Sequence, residues 1–211
     1  MFKKTMVAYI FLISLSMIAV VSCNLANTDC GSFSDKFKTV DFQVGLKNIT
    51  ISENPGTNIQ YSMLESDTIE FYTFGISMFP IGEYYSLNLE KPKSYSLIPS
   101  AFACSPPVPV SEEMITGIEV FSNINFNSEY TSGESITELF EIAVLYRGSG
   151  YIRTNIDDFL SSEPNVPDLI FLLLKSAPET TEPIQFTVKY GQNGFIMDSF
   201  EFTTPAIVIT N

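Results

Sequence analysis

Short runs rich in Phe, Tyr, Ile, Val and Thr, separated by clusters of Gly, Pro, Asn and Ser, recur along most of this chain, and they constrain its fold more than any other feature. Strand-like runs fall at residues 37–46, 48–52, 58–64 and 68–78, with turn clusters such as Glu53-Asn54-Pro55-Gly56 between them. The stretch FYTFGISMF is apolar on both faces, which fits a strand buried on each side and is equally compatible by periodicity with a buried helix. Further runs lie at 84–89, 94–98, 115–126 and 169–175. The chain closes with a predicted hairpin, 184–190 and 195–203 around Gly191-Gln192-Asn193-Gly194, followed by a last strand at 206–210.

Helix signals are few. Ser135 and Glu138 have the spacing of a capping box, in which hydroxyl and carboxylate satisfy reciprocal backbone donors, so a short helix is expected to run from Leu139 to Tyr146. A second is expected to start near Asn155 and run through Asp157, Asp158, Phe159 and Leu160. Many short strands with one or two short helices predict a mainly β fold, an immunoglobulin-like β-sandwich or a pair of them. The proline-rich segment 104–113 reads as a connector between an N-terminal β region, 36–103, and a C-terminal β-sandwich-like region, 114–211; the two form separate domains or a single one.

The first 22 residues differ from the rest. Lys3 and Lys4 precede the uncharged run Met6 to Val21, which is 16 residues long. That is the layout of a secretory signal peptide, and it is shorter than the roughly 20 apolar residues of a spanning helix. The signal closes on Ala19-Val20-Val21-Ser22-Cys23, which resembles a lipobox. That resemblance implies lipidation of the Cys23 thiol, cleavage before it and acylation of the new amino group; the alternative is an ordinary cysteine beyond a conventional cleavage site. Residues 24–35 then read as a short polar tether. Loss of the signal leaves 9 basic against 24 acidic residues, a net charge of −15. Nucleic acid is therefore not an expected partner, since phosphate neutralisation needs clustered Lys and Arg. With Cys23 lipidated, Cys30 and Cys104 remain, in a compartment where disulfides persist. They are read either as a disulfide or as two free thiols.

Beyond the lipobox, the segments ITGIEVFSNINFNSEYTSGESITELF and LIFLLLKSAPETTEPIQFTVKYGQNGFIMDSFEFTTPAIVI resemble the uncharacterised domain-of-unknown-function lipoproteins of Bacteroidota, over about two-thirds of the chain. The resemblance implies an address at the cell envelope, lipid-anchored in the outer membrane and facing periplasm or surface, and a β fold; it offers no catalytic residues. Asp67-Thr68-Ile69 resembles the short acceptor motif for O-linked glycosylation in these bacteria, which would make Thr68 a glycosylation site; the alternative is a hydroxyl that caps a turn.

The chain has no histidine, which excludes Ser-His-Asp and Cys-His catalysis in their ordinary forms and most zinc sites. No phosphate-cradling glycine loop or G-x-S-x-G occurs either. No catalytic residue, metal site or cofactor is expected. What remains for an enzyme is a carboxylate pair acting on a glycosidic bond. Glu112-Glu113 and Asp157-Asp158 are the visible doublets, with solvated surface the more ordinary reading. Calcium at Asp157 and Asp158 lacks the spacing of a calcium loop. Tyr84, Tyr85, Tyr95, Tyr130 and Tyr151 offer amphipathic rings to a sugar or protein, or serve as half-buried sheet residues. The leading expectation is a non-enzymatic, lipid-anchored module that binds an outer-membrane protein or a glycan. The alternatives are a carboxylate-dependent glycan hydrolase and a purely structural envelope component.

Overall fold

The computed structural model describes residues 36–52, 58–85, 109–147 and 149–211, all within one compact unit formed by 34–86 and 107–211. Cys23, Cys30, Cys104, Tyr95 and the expected strand at 94–98 lie outside the described residues. Twelve strands, two 3-10 turns and one short α-helix are described. The chain is mainly β, as its strand-like runs require.

The large sheet has the order β2-β1-β4-β9-β7-β8. Its strands are β1 (Lys36–Ser52), β2 (Asn58–Met63), β4 (Phe74–Tyr85), β7 (Phe140–Leu145), β8 (Tyr151–Asn155) and β9 (Leu169–Leu174). It therefore combines strands from both sides of the proline-rich segment. The short β5 (Val110–Ser111) pairs in parallel with the start of β1, on the edge that β2 covers further along. A three-stranded sheet orders β11 (Ser199–Thr203), β10 (Phe186–Asn193) and β6 (Met114–Ser122). The last strand, β12 (Val208–Thr210), pairs in parallel with β3 (Thr68–Glu70).

The three sheets share one core. Phe42, Phe74, Ile76 and Met78 from β1 and β4 meet Phe186, Val188 and Tyr190 from β10, with Ile69 and Ile209 from the smallest sheet. Phe42 and Tyr190 stack edge-on at 4.7 Å, and Phe140 and Phe186 at 5.6 Å. The opposite face of the large sheet carries a second cluster, Ile49, Ile59, Ala143, Leu169, Phe171 and Leu173. Tyr61, on edge strand β2, reaches within 5.0 Å of the Phe171 ring, and Tyr151, on edge strand β8, within 6.3 Å. Three strand steps separate β2 from β9 and two separate β8 from it, so the sheet must curl to bring both rings over Phe171. Strand β9, LIFLLL, is buried at every position because alternate side chains enter alternate clusters.

Local chemistry sets several element boundaries. The runs at 37–46 and 48–52 form one continuous strand, β1, with a bulge between Thr39 and Asp41. FYTFGISMF divides into a 3-10 turn, Phe71–Thr73, and the start of β4. Pro80 is tolerated in β4 because it lies beyond Gly75–Met78, the part flanked by β9. The helix expected near Asn155 forms as α1 (Ile156–Ser161), held to the core by Ile156 and Phe159.

The helix expected over Leu139–Tyr146 does not form. A 3-10 turn, Thr137–Leu139, leads into β7, whose residues FEIAVL are sandwiched between β8 and β9. Nor does Ser135-Glu138 make a capping box. Ser135 Oγ lies 2.8 Å from Thr137 Oγ1, and the Glu138 carboxylate accepts the Tyr130 hydroxyl proton instead. The closing hairpin is present but its turn is displaced: β10 continues through Asn193, and Gln192 N donates to Asp198 O at 2.8 Å. Gly191 belongs to the strand, where a Cβ would crowd Thr116 Oγ1 at 2.9 Å.

Candidate functional site

Two concave features stand out among the described residues. The first is a polar cleft of about 500 Å³ between the turn before β7, the end of β9 and the start of α1, lined by Ser135, Thr137, Glu138, Asn155, Asp157, Asp158 and Lys175 above the buried Phe140 and Ile156. Its shape follows from α1: burying Ile156 and Phe159 turns Asp157 and Asp158 outward. Thr137 Oγ1 accepts the Val120 amide at 2.9 Å, which fixes the cleft's other wall to β6. All three carboxylates are exposed to solvent. Chemically, carboxylates, an amide, hydroxyls and one ammonium can grip a polar ligand rich in hydroxyl groups.

The second is an apolar groove of about 350 Å³, walled by Val44, Leu46, Met63, Leu64, Phe202 and Ile207 and rimmed by Glu65, Ser66, Asp67, Thr203 and Thr204. Four parts of the fold build it. Val44 and Leu46 lie on β1, Phe202 on β11, and Ile207 precedes β12. Met63 and Leu64, leaving β2, form the remaining wall; Met63 is exposed and adaptable, with the Lys47 ammonium 2.7 Å from its sulfur.

The residues singled out by sequence are dispersed. Thr68 is exposed at the start of β3, next to the groove's Asp67. Tyr84 is exposed and Tyr85 half-buried at the end of β4, Tyr130 is bonded to Glu138, and Tyr151 packs against Phe171. No ring contact joins Tyr84, Tyr85, Tyr130 and Tyr151 to one another among the described residues, so they form no single platform. Asp157 and Asp158 do meet a third carboxylate, Glu138, in the polar cleft. Among the described residues no cluster of three Asp, Glu, Cys or His side chains has the geometry to hold a metal ion.

The Glu112-Glu113 doublet splits, and its second member is not solvated surface. Glu112 pairs with Lys36 and accepts the Tyr85 hydroxyl at 3.1 Å; the Lys36 ammonium is the main cause holding its carboxyl below the usual range. Glu113 is 0% exposed. It accepts Thr39 N at 2.6 Å and Phe195 N at 3.0 Å, with Ser111 Oγ at 3.4 Å. Thr39 sits at the β1 bulge, where the ladder shifts register, so Glu113 joins the bulge to the loop between β10 and β11. Nearby, the Tyr190 hydroxyl donates to Gln192 Oε1 at 3.1 Å. Burial pushes its pKa strongly upward, and Glu113 and Tyr146 add to the shift. Nothing local in the sequence marks this burial, because the doublet lies in the short link between β5 and β6 and its backbone partners are 74 and 82 residues away.

Comparison with protein families, curated proteins and solved structures finds no match to this chain.

Proposed function

We propose that this chain is a lipid-anchored protein of the bacterial cell envelope, attached to the outer membrane through Cys23, whose β body is a non-enzymatic module that binds a partner protein or a glycan. The observation that carries the binding role is the apolar groove: apolar walls from separate elements under a polar rim make the kind of concavity that takes up a ligand. The anchor rests on the basic start, the apolar run and the lipobox-like ending at Cys23. The likeness to Bacteroidota lipoproteins points to the same address, and the proposed Cys30–Cys104 disulfide and glycosylated Thr68 belong to it.

Three experiments test this reading. Replacing Cys23 with Ser in the native cell should abolish labelling by an alkyne palmitate analogue; undiminished labelling would sink the anchor. A photo-crosslinking amino acid at Met63 of the full-length protein should capture a stoichiometric outer-membrane protein, and L64D should abolish capture. Absence of any adduct at Met63, with equal labelling at distant exposed positions, would remove the groove from the binding role. Alkylation of the unreduced protein tests the disulfide: no thiol should react.

A second reading, a carboxylate-dependent glycan hydrolase, is favoured by the convergence of Glu138, Asp157 and Asp158 in one cleft. Against it, all three carboxylates are open to solvent rather than enclosed in a water-excluding site. A hydrolytic activity on envelope glycans, lost in D157N or E138Q with folding intact, would replace the binding reading.

A further inference from the structure

One side of β1 is covered at both ends and open between them. β5 pairs with Lys36 and Phe37, and β2 takes up the same side only at Lys47. Among the described residues no strand pairs this side from Lys38 to Leu46, although the other side is laddered to β4 over the same stretch. The first half of the opening is guarded. It contains the bulge and Asp41, and carboxylates take two of its donors: Thr39 N bonds Glu113 and Phe42 N bonds Asp41 Oδ1 at 2.8 Å. Gln43-Val44-Gly45-Leu46 has neither charge nor proline, and among the described residues no side chain accepts from its amides.

This bare edge is one wall of the apolar groove. Val44 and Leu46 project to the same face of the strand, pack against the main core and meet Phe202 of β11 across the groove. Met63 and Leu64 mark where the chain leaves the line that β2 follows beside β1. A segment entering along that line continues the ladder β2 abandons, with every second side chain lowered among Val44, Leu46, Phe202 and Ile207. Exposed Glu65 and Asp67 rim the groove, and no Lys or Arg lines it.

We infer that the groove receives an extended segment of a partner protein, which adds a strand to β1 at Gln43–Leu46, lowers alternate apolar side chains onto the groove floor and sets basic side chains against Glu65 and Asp67. The inference rests on the groove's binding role proposed above and narrows its occupant. Main-chain bonds to the edge supply affinity in such a complex, and the apolar floor and acidic rim supply preference. A helix keeps its backbone bonds to itself and leaves the edge unpaired. A glycan brings hydroxyl groups rather than aliphatic side chains to the apolar floor.

The probe is a capped peptide of alternating lysine and valine, added to the full-length protein while backbone hydrogen exchange is followed residue by residue. Alternate amides within Gln43–Leu46 should exchange about tenfold more slowly at a peptide concentration about ten times the Kd. Two further peptides, N-methylated at the valines or at the lysines, carry the same charge, so general attraction to this acidic chain moves both alike. Strand addition uses one edge of the peptide, so one of the two should bind as before and the other should lose binding; equal behaviour of the two would overturn the inference. E65K/D67K, changed only at exposed positions, should weaken the parent peptide severalfold, and unaltered binding would overturn the basic character of the partner. Slowing of the same amides with rising protein concentration and no peptide would make a second copy the occupant, which also overturns it. Capture of a partner at the Met63 photo-crosslinker without any slowing at Gln43–Leu46 overturns strand addition and leaves the groove's binding role standing, whereas loss of both overturns the two together.

Discussion

Removing the Glu113 side chain strands two backbone donors, Thr39 N and Phe195 N, inside the protein. Unsatisfied buried donors cost roughly 1–3 kcal/mol each, so E113A is expected to lower stability by about 3 kcal/mol in urea unfolding, and E113Q, whose one oxygen serves a single donor while its NH2 faces the other, by a comparable amount. Equal stability of E113A and the parent would show that the bonds contribute nothing. Tyr190 makes a second residue-scale prediction. Its phenol is buried, so its pKa in the native state lies above the unfolded value of 10.0. The unfolded chain then releases this proton first as pH rises, and the stabilisation, complete below pH 10, is lost progressively above it. One such proton contributes a slope of up to about 1.4 kcal/mol per pH unit. Y190F should therefore show a shallower alkaline loss of stability than the parent, measured by the denaturation midpoint at a series of pH values from 9 upward. Neither residue was legible as structural in the sequence: a Glu-Glu doublet reads as surface because nothing local records the bulge and the loop that enclose its second member.

The hairpin of β10 and β11 depends on its glycine. A Cβ at Gly194 would overlap the carbonyl oxygen of Met197, which is backbone and cannot rotate away. Overpacking of this kind costs about 1–3 kcal/mol, and G194A should fall in that range by thermal unfolding, with protection of the Phe195 amide against hydrogen exchange lost as well. An unchanged exchange rate would mean that the loop absorbs the methyl group without releasing Glu113. On β9, L172A empties a site in the main core that the three sheets share. The expected loss is about 2–5 kcal/mol, well above that of a surface substitution such as S199A on β11. Element identity was legible where periodicity was clear, as in β9, β10 and α1. It failed at β7, where Leu139 to Tyr146 carries apolar residues at a spacing that suits either state and pairing with β8 and β9 decides for strand. It also missed β8, whose YIRTN is mostly exposed and owes its conformation to the ladder with β7 and to the Arg153–Glu141 ion pair at 2.7 Å.

Over the whole molecule, the body is closed by contacts between residues far apart in sequence. β12, at 208–210, completes the small sheet with β3, at 68–70, and buries Ile207 and Ile209. Ending the chain at Thr204 removes both and uncovers Ile69 and Ile184. Each such side chain is worth about 1.5–3 kcal/mol when buried, so the truncated protein should unfold at a markedly lower temperature; retention of the parental melting temperature would show that β12 is dispensable. By itself the sequence determined the mainly β character, the position of most strands, the short helix at Asn155 and the absence of histidine chemistry, because these follow from local periodicity, turn residues and composition. Tertiary structure alone decided which strands pair, the curl that brings Tyr61 and Tyr151 over Phe171, the burial of Glu113, and the gathering of Glu138 with Asp157 and Asp158. Those features come from residues distant in the chain, and their contacts are fixed only when sheet register and packing against a shared core leave a single arrangement that buries the apolar faces together.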